Sequence, residues 1–127
     1  MNKFELLGLN AGLLKAIEDM GFTSPSEVQE KAIPILLQQD TDMVALAQTG
    51  TGKTAAFGFP LIQKLNAESK KTQGLILSPT RELCLQITNE LKNYSKYFKG
   101  VNTVAIYGGA SITDQAAQIR KGAQIIV

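Results

Sequence analysis

The sequence has no histidine, no tryptophan and a single cysteine, Cys84. One thiol cannot close an intrachain disulfide, and a chain without histidine lacks the usual ligand set of a zinc site. Long apolar runs are missing too. The longest, residues 55–62, falls far short of the ~20 residues a membrane-spanning helix needs. Near the amino terminus Lys15, Glu18 and Asp19 interrupt the apolar residues, whereas a signal peptide keeps its centre unbroken. Neither charge sign dominates: 13 Lys plus Arg face 11 Asp plus Glu, a net charge of +2. That balance neither requires nor forbids a polyanionic partner. These absences argue against a disulfide-stapled scaffold, a zinc module and a membrane partner, and they fit a reducing, cytoplasmic setting.

What is present suits one globular domain: 127 residues, 44% of them apolar, are enough to build a single core. Asn10 is expected to cap a helix through Leu13, Leu14, Ile17 and Met20 that ends at Gly21. Ser24-Pro25-Ser26-Glu27 reads as a capping box, with Ser24 as the cap and Glu27 reaching back. The helix it opens runs to about Gln38 and should be distorted at Pro34, which has no amide hydrogen to donate one turn back. Four short apolar runs, 43–47, 75–77, 103–107 and 124–127, read as strands buried on both faces. Helical segments 53–65, 81–98 and 111–121 lie between them. In the second, Leu83, Ile87, Leu91, Tyr94 and Phe98 recur by fours and threes along one face. The alternation predicts an α/β fold of βαβ units, a parallel sheet with helices on both faces, and ligands at the carboxyl ends of its strands.

Ala47-Gln48-Thr49-Gly50-Thr51-Gly52-Lys53-Thr54 joins the first predicted strand to a helix, the context in which such a loop cradles phosphate. Gly50 and Gly52 let the backbone curl so that successive amide hydrogens converge on phosphate oxygens, and the helix start adds its dipole. Lys53 is expected to neutralise β- and γ-phosphate charge, and the Thr54 hydroxyl to ligate Mg²⁺. The general pattern begins with glycine where this chain has Ala47, a position that only ends the strand. A glycine-rich turn without a ligand is the alternative. By itself the loop does not separate kinases, transporters, GTPases and helicases.

Three further segments narrow the field. They are Gly21-Phe22-Thr23-Ser24-Pro25-Ser26-Glu27-Val28-Gln29 with Phe4 upstream, Pro79-Thr80-Arg81-Glu82-Leu83, and Gly108-Gly109. Taken in order with the loop from Gln48 to Thr54, and covering nearly the whole chain, they resemble the Q motif, motif Ia, paired-glycine motif and phosphate loop of DEAD-box RNA helicases. The resemblance implies a RecA-like fold and ATP with Mg²⁺ as cofactors. It also implies RNA held through its backbone, and a second RecA-like domain as partner within the full-length chain. It sets Phe22 against the base and makes Gln29 the residue that selects ATP over GTP. An amide carries both the donor and the acceptor that adenine N7 and N6 require, and guanine reverses one of those polarities. Gln48, Thr49, Gly50, Thr51, Gly52, Lys53 and Thr54 would hold the nucleotide, with Lys53 and Thr54 also serving catalysis and Thr54 the metal. Thr80, Arg81, Gly108 and Gly109 would meet RNA phosphates, contacts that carry no sequence information.

Each of these roles has a plainer competitor. Phe4 either closes the adenine pocket or packs in the core, Phe22 could staple its own helix, and Arg81 could form an ion pair within the domain. Cys84 replaces the family's usual alanine; packing is its expected role, with a redox-sensitive thiol as the competitor. Lys92, Lys96 and Lys99 read as a solvated face.

The family's later motifs do not occur. Of Asp19, Asp40, Asp42 and Asp114, none falls at a predicted strand end, where a Mg²⁺-holding carboxylate is needed. The expectation is therefore the front part of a longer helicase. It would comprise a Q-motif region, 1–38, and an ATP-binding core, 39–127, within a first RecA-like domain truncated after about four strands. Such a chain would bind ATP or ADP without hydrolysing it. The run 124–127 is expected to be an unpaired edge and the likeliest aggregation site. A different phosphate-loop enzyme and a non-enzymatic RNA-binding module are the competing functions.

Overall fold

In a computed structural model the described residues are 3–48, 50 and 52–127. They divide into two compact units, 1–64 and 65–127. The first is helical. A short 3-10 turn, Glu5–Leu7, is followed by α1 (Ala11–Asp19), whose cap is Asn10, its side chain accepting from the Leu13 amide at 3.1 Å as expected. Helix α2 spans Glu27–Gln38 and α3 spans Lys53–Lys64. These two pack on each other, and their apolar faces are buried at Ala32, Ile33, Ala55, Phe59 and Ile62. Phe4 is 1% exposed, so it is a core residue and offers no face to a ligand.

One expectation for α2 fails. Its cap is Ser26, not Ser24, and the residue that reaches back is Gln29, not Glu27. Ser26 takes the cap because its own amide and hydroxyl both find Gln29, at 3.1 and 3.4 Å, which closes the reciprocal box. Glu27 instead accepts from Lys31 one turn on, at 2.7 Å on the exposed face, and that bond holds its carboxyl below the ordinary value. Pro34 lies inside α2, which runs to Gln38 as expected. Ser26→Ala should destabilise the first unit by about 1 kcal/mol, read as a lower urea midpoint at unchanged slope.

The predicted strand at 43–47 is not a strand: the segment carries no strand pairing, and Val44 and Leu46 are 89% and 93% exposed. An apolar run supplies the side chains of a strand but not its ladder partners.

The second unit holds a three-stranded parallel sheet of β1 (Gly74–Leu75), β2 (Thr103–Val104) and β3 (Ile125–Ile126), in the order β1-β3-β2. Gly74 and Thr103 both register with Ile125, and Leu75 and Val104 with Ile126. The expected edge at 124–127 is therefore the centre of the sheet, and Ile125 is fully buried. Exposure falls on the β1 side, where Leu75 and Leu77 are 68% and 86% exposed. Helices α4 (Arg81–Tyr94) and α5 (Ile112–Arg120) both pack against β2. Helix α4 ends at Tyr94, short of the predicted Phe98, because Ser95 caps it and turns its hydroxyl back onto the Leu91 carbonyl at 2.8 Å.

Candidate functional site

In the first unit the phosphate-loop residues lead directly into α3. Gly50 and Gly52 have φ of +82° and +80°, a region that only glycine enters without strain. Thr49 and Thr51 lie outside the described residues. Lys53, the first residue of α3, is exposed and sends its ammonium back to the carbonyl of Ala47 at 2.8 Å. Its ammonium is thus held by a neutral acceptor. Thr54 is half-buried one position further along α3, and Gln48 is exposed just before the loop.

Gln29 ties this loop to α2. It is 6% exposed, and besides its two bonds with Ser26 it donates from Nε2 to the Gly52 carbonyl at 3.2 Å. A Cβ at Gly52 would overlap Gln29 Nε2 and come within 3.2 Å of Gln29 Cδ, so Gly52 is required both by its φ and by the closeness of Gln29. Gln29, expected from the sequence at the adenine, thus also closes the α2 cap. The signal was available: Ser26 and Gln29 have the spacing of a capping box, but Ser24 and Glu27 share it. Phe22 is 41% exposed in the turn after α1, its amide bonded to the Ile17 carbonyl.

A cavity of about 790 Å³ in this unit lies between α2 and residues 43–48. Its walls include Val28, Ala32, Ile35, Val44 and Leu46, without Gly50 or Lys53, whereas a second hollow of about 670 Å³ has Lys53 in its wall.

In the second unit Thr80 caps α4, its hydroxyl accepting from the Leu83 amide at 3.1 Å. The same hydroxyl keeps its proton for another acceptor. Arg81 makes no salt bridge among the described residues; its guanidinium stands 4.8 Å above the ring of Tyr107. Tyr107 immediately precedes Gly108 and Gly109, which are exposed, Gly109 at φ +83°. Structure thus brings together Arg81 and the paired glycines, which are far apart in sequence. Cys84 is buried with its sulfur 3.3 Å from the Val127 carbonyl, the packing role expected. Lys92, Lys96 and Lys99 are all exposed.

A family model for DEAD/DEAH box helicases matches residues 26–127. The chain belongs to the DEAD/DEAH box helicase family. It is 47% identical over 124 residues to ATP-dependent RNA helicase DeaD of Escherichia coli (strain K12), covering 98% of this chain and 20% of that protein. With ATP-dependent RNA helicase CshA of Listeria monocytogenes it shares 45% over 127 residues, all of this chain and 24% of the relative. It therefore spans about a fifth to a quarter of the length of these curated helicases.

Solved DEAD-box structures agree. The crystal structure of a DEAD box protein from the hyperthermophile Methanococcus jannaschii superposes with a TM-score of 0.91 at 39% identity, over 98% of this chain and 34% of that one. Saccharomyces cerevisiae Dbp5 bound to RNA and ADP BeF3 gives 0.81 at 34%, over 100% and 32%. The α/β arrangement is that of a RecA-like DEAD-box domain. No helix among the described residues is long and apolar enough to cross a membrane.

Proposed function

We propose that this chain is the adenine-nucleotide-binding part of an ATP-dependent RNA helicase. The observation that carries the reading is the bonding of Gln29. An amide side chain has two N–H donors and two oxygen lone pairs. Ser26 uses one lone pair and Gly52 one donor. What remains is one acceptor and one donor, the pair that adenine N6 and N7 call for and that guanine O6 would oppose. The exposed Phe22 ring supplies the stacking surface.

ATP carries the phosphoryl group whose transfer to water drives unwinding. Around it Lys53 would exchange the Ala47 carbonyl for phosphate oxygens, a charge-assisted bond roughly twice as strong as a neutral one. The backbone amides of Gly50 and Gly52 and the unbonded amides of the first turn of α3 would donate to the remaining oxygens. Thr54 would offer its hydroxyl to Mg²⁺ as the family's phosphate loop does. Asp19 and Asp114 lie within helices, and Asp40 and Asp42 precede the loop, so the acid that orders the attacking water is not supplied by these residues. The chain is accordingly read as binding ATP or ADP without hydrolysing it. In the second unit Thr80, Arg81, Gly108 and Gly109 form a grip for RNA phosphates.

Displacement of a fluorescent ADP from the purified chain tests the nucleotide reading. ADP should compete and GDP should not, and Gln29→Ala or Lys53→Ala should each weaken binding at least about tenfold, the equivalent of one lost charge-assisted or buried hydrogen bond. Equal competition by GDP would remove the adenine assignment. Steady phosphate release that Lys53→Ala abolishes would remove the claim that the chain does not hydrolyse ATP.

A further inference from the structure

We propose that Gln115 is a positioning residue for the RNA-phosphate grip, acting through Tyr107; the proposal rests on the RNA reading given above. Gln115 lies on α5 and is 9% exposed. Its Oε1 accepts from the Tyr107 amide at 3.0 Å, and its Nε2 donates to the Tyr107 carbonyl at 3.2 Å and to the Ser111 carbonyl at 3.4 Å. One side chain thus holds the backbone at both ends of the turn that carries Gly108 and Gly109.

The turn has little else to hold it. Nothing lies within 4 Å of where a Cβ would stand at Gly108 or at Gly109, so packing does not fix them. Glycine pairs have the widest backbone freedom of any dipeptide, and a turn that must present its amides or carbonyls to a phosphate in one geometry loses affinity if it has to be ordered on binding. Anchoring Tyr107 and Ser111 to one buried amide removes most of that freedom in advance.

Tyr107 extends the effect to the other half of the grip. With the Arg81 guanidinium carbon 4.8 Å over the Tyr107 ring, the ring limits where the guanidinium can sit, and a guanidinium so held keeps N–H groups that bind phosphate oxygens in pairs. Gln115 fixes the backbone of Tyr107, Tyr107 orients Arg81, and neither Gln115 nor the Tyr107 ring has to touch RNA. In sequence Gln115 is one polar residue in a polar helix, with nothing to mark it.

The test uses the isotopically labelled 127-residue chain and a single-stranded oligouridylate, followed by amide spectra and backbone relaxation. In the wild type the Gly108 and Gly109 amides should shift with RNA, and Gly109 should be rigid before RNA is added. Gln115→Leu should leave ADP binding unchanged, make the free Gly109 amide mobile on the nanosecond scale, and weaken RNA binding about tenfold. Gln115→Asn, too short to reach both Tyr107 groups, is the second variant if the leucine form does not melt cooperatively; it should show the same pair of changes. Tyr107→Leu should weaken RNA binding while Gly109 stays rigid, since the backbone bonds to Gln115 remain. RNA affinity and Gly109 rigidity both at wild-type levels in a folded Gln115 variant would overturn the proposal. A wild-type chain whose spectrum ignores RNA would instead overturn the underlying RNA reading, and the proposal with it.

Discussion

Gly52→Ala is expected to reduce ADP affinity about a hundredfold, whereas Gly50→Ala should cost only about tenfold. Both glycines sit near φ +80°, where an L residue bears about 1–2 kcal/mol of strain. Their surroundings separate them. Nothing lies within 4 Å of a Cβ placed at Gly50, while one at Gly52 would collide with Gln29 Nε2 and press on Gln29 Cδ. Relief requires Gln29 to move, which breaks its bond to the Gly52 carbonyl and disturbs the α2 cap that the same amide closes. Adding about 1 kcal/mol for that hydrogen bond to the strain gives about 3 kcal/mol, or roughly a hundredfold. Gln29→Ala in the Gly52→Ala background should then cost less than it does alone, because the two changes share one contact. Equal losses at Gly50 and Gly52 would show that strain alone governs the loop and that Gln29 does not bear on it.

Gln124→Met should lower the melting temperature of the chain by on the order of 10–20 °C, the largest stability effect expected of any polar residue in the second unit. Gln124 is 1% exposed beside the central strand. Its oxygen accepts from the Asn102 amide at 2.8 Å, and its nitrogen donates to the Ser69 carbonyl at 2.9 Å and to the Gly100 carbonyl at 2.8 Å. Methionine keeps the volume but leaves one donor and two acceptors without their partner. Each such part-buried group costs about 1–3 kcal/mol, so three near the lower end of that range cost about 3–5 kcal/mol together. Gln73 is the control. It too joins loop backbone, at Asn66 and Lys71, but it is exposed, so water replaces what Gln73→Ala removes and the melt should move by no more than a few degrees. A Gln124→Met melt as mild as that of Gln73→Ala would mean that the loops at 69 and 100 find other partners.

Much of this was legible in one dimension because it is encoded over short spans. The cap at Asn10, the start of α3 at Lys53 and the start of α4 at Arg81 are local matters of side-chain oxygen and nearby amide. The phosphate loop and the Q-motif segment are contiguous words, which is why they announced the family before any geometry was known. Where two local solutions competed, as at Ser24 and Ser26, sequence could not choose: both serines have an acid or amide three residues on, and only the approach of Gly52 to Gln29 marks the second box as the one that forms.

What sequence by itself determined is therefore the family, the alternation of apolar runs with helices, and the identity of the residues at the phosphate loop. Only the tertiary structure decided which apolar runs become strands and where each lies. Ladder hydrogen bonds join residues far apart in the chain, so the run at 43–47 stands unpaired while 124–127, expected at the edge, has a partner on each side. It also decided that Arg81 would lie over the ring of Tyr107 and that Gln115 would reach both ends of the glycine turn. Those contacts depend on the packing of α4 and α5 against β2, and a polar side chain carries no mark in the sequence of the backbone group it will find there.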